Sequence, residues 1–117
     1  MAYVDVFVTP VRLPREAEYL DWVAASQKMW IDHGALSYLE ARAEDVQIGK
    51  LTSFPRALQL EPDEITYVAF ATYRDRAHRD EVNARIMADP RMTALALEGP
   101  ADLKRMIFGG FTSVTPD

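Results

Sequence analysis

A chain of 117 residues with 18 acidic and 13 basic side chains carries a net charge of −5, which disfavours nucleic acid and anionic membrane as partners, because both need a basic footprint. The absence of cysteine excludes disulfides, thiolate nucleophiles and cysteine-held zinc or iron–sulfur clusters, and a reducing cytoplasm suits such a chain. No stretch approaches the roughly 20 apolar residues of a membrane span, and the N-terminus enters strand residues without a leader pattern.

The length fits a single domain over 1–117 with a core that needs no covalent staple. Tyr3 to Val11 predicts a first strand, with Val4, Val6 and Val8 on one face and Tyr3, Asp5, Phe7 and Thr9 on the other. Regular pairing is expected to end near Pro10, which has no amide to donate. Pro14 opens a helix running to His33, with Glu16 and Glu18 near its positive end and Gly34 as its left-handed stop. Leu20, Val23, Ala24, Gln27, Trp30 and Ile31 recur at three- and four-residue spacing and form its expected buried stripe.

Ala35 to Ala43 predicts a second strand, with Leu36 and Tyr38 on one face and Leu39 and Ala41 on the other. Residues 44–62, punctuated by Gly49, Pro55 and Pro62, read as a long loop with one short helical turn or an irregular strand. Glu64 to Tyr73 is the strongest strand signal. Asp75 caps a helix to Met87 carrying the pairs Arg76–Asp80 and Glu81–Arg85, and Asp89-Pro90 opens a short helix that stops at Gly99-Pro100. Lys104 to Phe111 closes the chain as a strand apolar on both sides, expected in the middle of the sheet. The order β-α-β-β-α-β is a ferredoxin-like α+β arrangement, a four-stranded antiparallel sheet with helices on one face. Its uncovered apolar face calls for a second copy of the chain, a homodimer built sheet to sheet.

Asp5 and His33 stand out for chemistry, with Arg105 as a third candidate. Asp5 interrupts an apolar strand, so it acts either as a general base or as half of an ion pair with Arg105, Lys104 or a partner chain. His33 is either a proton shuttle or a donor to the last carbonyls of its helix. His78 reads as boundary packing, and Glu40 with Arg42 as an exposed or rim pair. No cofactor motif and no metal-ligand set is present, and two histidines cannot form a three-histidine zinc site.

Several strings together resemble a known family: His33-Gly34-Ala35-Leu36, Met87-Ala88-Asp89-Pro90-Arg91-Met92, and Lys104-Arg105-Met106-Ile107-Phe108-Gly109-Gly110-Phe111. Over nearly its whole length the chain resembles the YbaA-like bacterial family of unknown function, within the dimeric α/β-barrel proteins. The resemblance implies the fold and the dimer and supplies no activity. Two function classes follow. One is a small-molecule pocket protein between sheet and helices, such as a cofactor-independent monooxygenase or isomerase using Asp5, His33 and Arg105. The other is a non-catalytic dimeric interaction module.

Overall fold

Two ten-residue strands, β1 (Tyr3–Arg12) and β3 (Glu64–Tyr73), pair antiparallel along their whole length and form the middle of the sheet. In this computed structural model, which describes residues 2–97 and 99–116, β2 (Ser37–Arg42) lies outside β3 and β4 (Ile107–Thr112) outside β1. The resulting order, β2-β3-β1-β4 with antiparallel neighbours, is the ferredoxin-like α+β arrangement. The helices are α1 (Glu16–Asp32), α2 (Phe54–Leu58), α3 (Arg76–Met87) and α4 (Pro90–Leu97). None of the described helices is long and apolar enough to cross a membrane.

Two strand expectations are corrected. The closing strand sits at an edge, and Phe108 and Phe111 are 68% and 59% exposed. Alternation shows that both faces are apolar, but it does not show lateral position; the centre goes to β1, which is long enough to pair on both sides. Pairing also continues past Pro10, which sits opposite Thr66. The Pro10 carbonyl accepts from the Asp102 amide at 3.3 Å, so its missing N–H faces the β4 side. There β4 has already ended, at the Val8–Ile107 pair, and no ladder bond is lost.

The first helix starts later than expected, because Leu13–Arg15 forms a 3-10 turn before α1. Its stripe is also rotated. Tyr19, Ser26 and Met29 are buried with Trp22, Val23 and Trp30 half-buried, while Leu20 and Ile31 face outward. Turning the helix by about one residue trades two aliphatic side chains for two aromatic ones and a methionine, which bury more surface. Gly34 adopts φ +108° as the stop, and Asp75 Oδ1 accepts from the His78 amide at 2.8 Å to cap α3. The 44–62 segment contains the one short helix α2, capped by Ser53, whose Oγ accepts from the Arg56 amide at 3.1 Å.

The odd-numbered residues of β1 and β3 face α1, α3 and α4. They build two core clusters, one around Tyr3, Met29, Ala71, Tyr73, Val82 and Ile86, the other around Val11, Tyr19 and Tyr67. The even-numbered residues face away. At one corner of that second face α2 touches β1 and β3, and Val8, Pro10, Thr66 and Leu58 are buried. The rest is open and apolar, with Leu39, Phe70, Ile107 and Phe111 exposed beside half-buried Val4, Val6 and Val68.

Gly110 is where β4 depends on having no side chain. A Cβ there would fall 2.6 Å from Tyr3 Cε2 and 2.8 Å from Cζ, so the hydroxyl end of the Tyr3 ring occupies the space a side chain would need. Gly110→Ala is expected to push Tyr3 out of its buried position and destabilise the fold by about 1–3 kcal/mol. Chemical denaturation measures this, and an unchanged midpoint would contradict the packing described.

Candidate functional site

The register of the sheet places the polar groups that the helix face contains. One rung runs Tyr38–Ala71–Asp5–Gly110, and the next runs Glu40–Ala69–Phe7–Phe108. Alanines on β3 and a glycine on β4 stand beside two carboxylates, and short side chains next to long ones leave space under the helices. Two adjoining cavities occupy it, with Phe7, Trp30 and Met92 lining both.

The larger cavity, about 300 Å³, lies beside Asp5 and is lined by Arg79, Asn83 and Ile86 of α3 and by Phe108, Gly109 and Gly110 of β4. Asp5 is only 4% exposed. Its partner is Arg79, Nη1 donating to Oδ1 at 2.7 Å, and not Lys104 or Arg105. Its other oxygen accepts from the Tyr73 hydroxyl at 3.0 Å, which in turn accepts from Trp30 Nε1 at 3.1 Å. The Arg79 guanidinium also stacks 4.8 Å from the Tyr3 ring centre. Burial, and after it the Asp5 carboxylate, holds the Tyr73 phenol well above its usual range. The Asn83 amide, half-buried on the cavity wall, makes no side-chain hydrogen bond among the described residues.

The smaller cavity, about 110 Å³, lies between the two core clusters. Glu40 is its charged group. Tyr38 Oη donates to Glu40 Oε1 at 2.8 Å, and Tyr19 Oη donates to Oε2. The expected Glu40–Arg42 rim pair is therefore absent, since Arg42 reaches across to Glu16 at 3.0 Å. Burial raises the Glu40 carboxyl above its usual range, and the two tyrosine hydrogen bonds oppose this only in part. Trp22, also on the wall, has a buried indole N–H without a partner among the described residues. Sequence reading missed this group. The available signal was Tyr38 and Glu40 sharing one face of a strand that packs on a helix.

Of the three residues singled out from sequence, Asp5 lines a cavity, and His33 and Arg105 line neither. His33 follows the last turn of α1, its Nε2 2.7 Å from Asp89 Oδ2 at the start of α4. Arg91, and after it His33, holds the Asp89 carboxyl below the usual carboxylate range. Arg105 donates to Glu64 at 2.5 Å, to Asp102 at 2.8 Å and to the Gln59 carbonyl at 2.9 Å, which ties the end of α2 to β3 and the approach to β4. His78 is buried and accepts from the Arg74 amide at 3.0 Å through Nδ1, in keeping with packing. No group of three or more His, Asp or Glu side chains among the described residues is placed to hold a metal ion.

Burial raises the Glu40 carboxyl in the folded chain above its unfolded counterpart. A folded-state carboxyl above its unfolded value binds more protons in the folded chain. It supports the fold below the usual glutamate range of about 4.3 and costs stability as pH rises through its folded value. The stability of the natural chain relative to Glu40→Gln is therefore expected to fall as pH rises from about 4 to 7. Thermal melts across that range test this, and a constant or growing difference would contradict the burial assigned to Glu40.

With the geometry described, comparison with known proteins places the chain. Residues 2–103 match the model of the family described as "Protein of unknown function (DUF1428)". The uncharacterized protein YbaA of Escherichia coli K12 is 37% identical over 114 residues, covering 97% of each chain, and YbaA of Shigella flexneri matches equally. Among solved structures, SnoaB from Streptomyces nogalater, a cofactor-independent oxygenase, is similar at a TM-score of 0.64 and 19% identity, covering 98% of this chain and 95% of its own. A dimeric ferredoxin-like protein from an uncultured marine organism has a TM-score of 0.62 and 14% identity, with full coverage of both chains. Those two structural likenesses show the fold alone. The sequence matches show the family: the chain belongs to the DUF1428 family of proteins of unknown function, alongside the bacterial YbaA proteins.

Proposed function

We propose that this chain works as a homodimer that binds a small molecule between its sheet and its helices. The cavity of about 300 Å³ beside Asp5 carries this reading. It lies at the lower end of ligand-site volumes, is mostly apolar, and has a few polar groups converging on it. Those groups differ in availability. Asp5 and Arg79 satisfy each other, so they fix the wall, and the Asn83 amide is left to meet a ligand. One protein of the same fold is a cofactor-independent oxygenase. A chemical step without an added group is thus within reach of this fold, and Asp5 becomes its proton acceptor only where a ligand displaces Arg79 from it.

The dimer reading draws on the open sheet face. Leu39, Phe70, Ile107 and Phe111 form an exposed apolar surface on the side that α1, α3 and α4 leave bare. Large patches of this kind are rare on monomers, and a two-fold axis buries the same patch on both copies. A fold neighbour described as dimeric supports the reading. Phe111 is 59% exposed within one chain, so Phe111→Asp disturbs an interface more than a core. Sedimentation is expected to give a dimer for the natural chain at low micromolar concentration and a folded monomer for Phe111→Asp. A well-folded monomer of the natural chain would contradict the dimer.

The pocket has its own test. The purified chain, incubated with a small-molecule extract of bacterial cells, is expected to retain a discrete mass in native mass spectrometry. Asn83→Phe, which fills the larger cavity, is expected to abolish it. His33 lines no cavity, so His33→Asn is expected to leave it unchanged. Retention by Asn83→Phe, or no retained mass at all, would overturn the pocket reading.

A further inference from the structure

The smaller cavity has a charge imbalance that the other buried and half-buried carboxylates among the described residues avoid. Asp5 holds Arg79 at 2.7 Å, Glu64 holds Arg105 at 2.5 Å, Asp89 holds Arg91 at 2.7 Å and Glu16 holds Arg42 at 3.0 Å. Glu40 is half-buried and makes no ion pair among the described residues; its two oxygens meet only neutral tyrosine hydroxyls. The lining of its cavity contains no lysine, arginine or histidine. A carboxylate withdrawn from water without a counter-charge is costly, and a cation supplied from outside would relieve that cost.

The surroundings suit one kind of cation. Tyr19 and Trp22 stand with ring centres 5.5 Å apart at 49°, and Trp30 and Tyr38 with ring centres 5.5 Å apart at 45°. All four rings line the cavity together with Glu40. Electron-rich aromatic faces attract a cation, most strongly where water is excluded, and they suit weakly hydrated organic ammonium ions better than metal ions, which require oxygen or nitrogen ligands. The volume of about 110 Å³ admits a compact head group; a dry cavity of about 150 Å³ is known to accept benzene. The chain's net charge of −5 would also favour the approach of a cation.

We propose that the smaller cavity is a binding site for a small organic ammonium ion, its positive head enclosed by Tyr19, Trp22, Trp30 and Tyr38 and neutralised by Glu40. This goes beyond the pocket reading above, which concerns the larger cavity. The probes are choline and 3,3-dimethylbutan-1-ol, which has the same shape without the charge, titrated into the full chain by calorimetry. Choline is expected to bind at least about tenfold more tightly than the alcohol. Glu40→Gln is expected to reduce that preference severalfold, to what the four rings supply alone, while leaving the affinity for the alcohol unchanged. Tyr38→Phe keeps both the ring and the carboxylate and is expected to retain the preference. Equal affinity of the natural chain for the two probes, or no binding of choline, would overturn the inference, and neither result needs a variant that folds. A preference for choline that is undiminished in folded Glu40→Gln would overturn it too. Failure here with a cell-extract mass still retained and lost in Asn83→Phe would sink the ammonium site alone and leave the pocket reading standing.

Discussion

A carboxylate in the central strand of a sheet has to be answered by the elements around it, and much of this structure is arranged to answer Asp5. β1 contributes the acid, α3 the Arg79 cation, β3 the Tyr73 hydroxyl, and α1 the Trp30 donor that orients that hydroxyl. Four elements thus meet through three hydrogen-bonding contacts around one buried charge. The pair is weak evidence for net stability, because desolvating both ions offsets most of their attraction. Removing one partner would nevertheless leave an uncompensated charge in the core, so the network fixes how α1 and α3 sit on the sheet. That placement decides where the helices close over the strands and where they leave space.

The space follows from side-chain size along the rungs. Ala69 and Ala71 on β3 and Gly110 on β4 are the small members of rows that also carry Phe7, Tyr38 and Glu40. Helices resting on the large members stand off from the small ones, and the gaps become the two cavities around the Phe7–Trp30–Met92 partition. The polar character of the two cavities differs for an electrostatic reason. Beside Asp5 the charge is already balanced within the chain, and an uncharged amide is left over. Beside Glu40 the charge is not balanced. On the opposite face the sheet is apolar and bare apart from the corner under α2. The two faces therefore differ: one encloses space and the other presents an exposed apolar surface.

Much of the fold was legible in the sequence because it rests on local signals. Strand β3 was bounded correctly at both ends, Asp75 and Asp89-Pro90 marked real helix starts, and Gly34 and the turn within 44–62 fell where expected. The errors concern relations between elements. A strand apolar on both faces looked central and proved to be an edge, since alternation carries no information about neighbours. The stripe of α1 was misplaced because spacing alone does not weigh Tyr19 and Met29 against Leu20 and Ile31. The site was less legible still. Asp5 was conspicuous as a charge in an apolar run, but its partner lies 74 positions away on α3, a distance over which local patterns carry no pairing signal. Glu40 looked like a rim residue because strand alternation does not reveal which face a helix will cover.

The measurement that bears most directly on the small-molecule account is a high-resolution crystal structure of the full chain, crystallised in the presence of the cell extract. The account predicts ordered non-protein density in the cavity beside Asn83, in contact with its amide, with the Asp5–Arg79 pair intact behind it. A structure in which the side chains of Phe108 and Met92 close that cavity, leaving no room for a ligand and none bound, would contradict it.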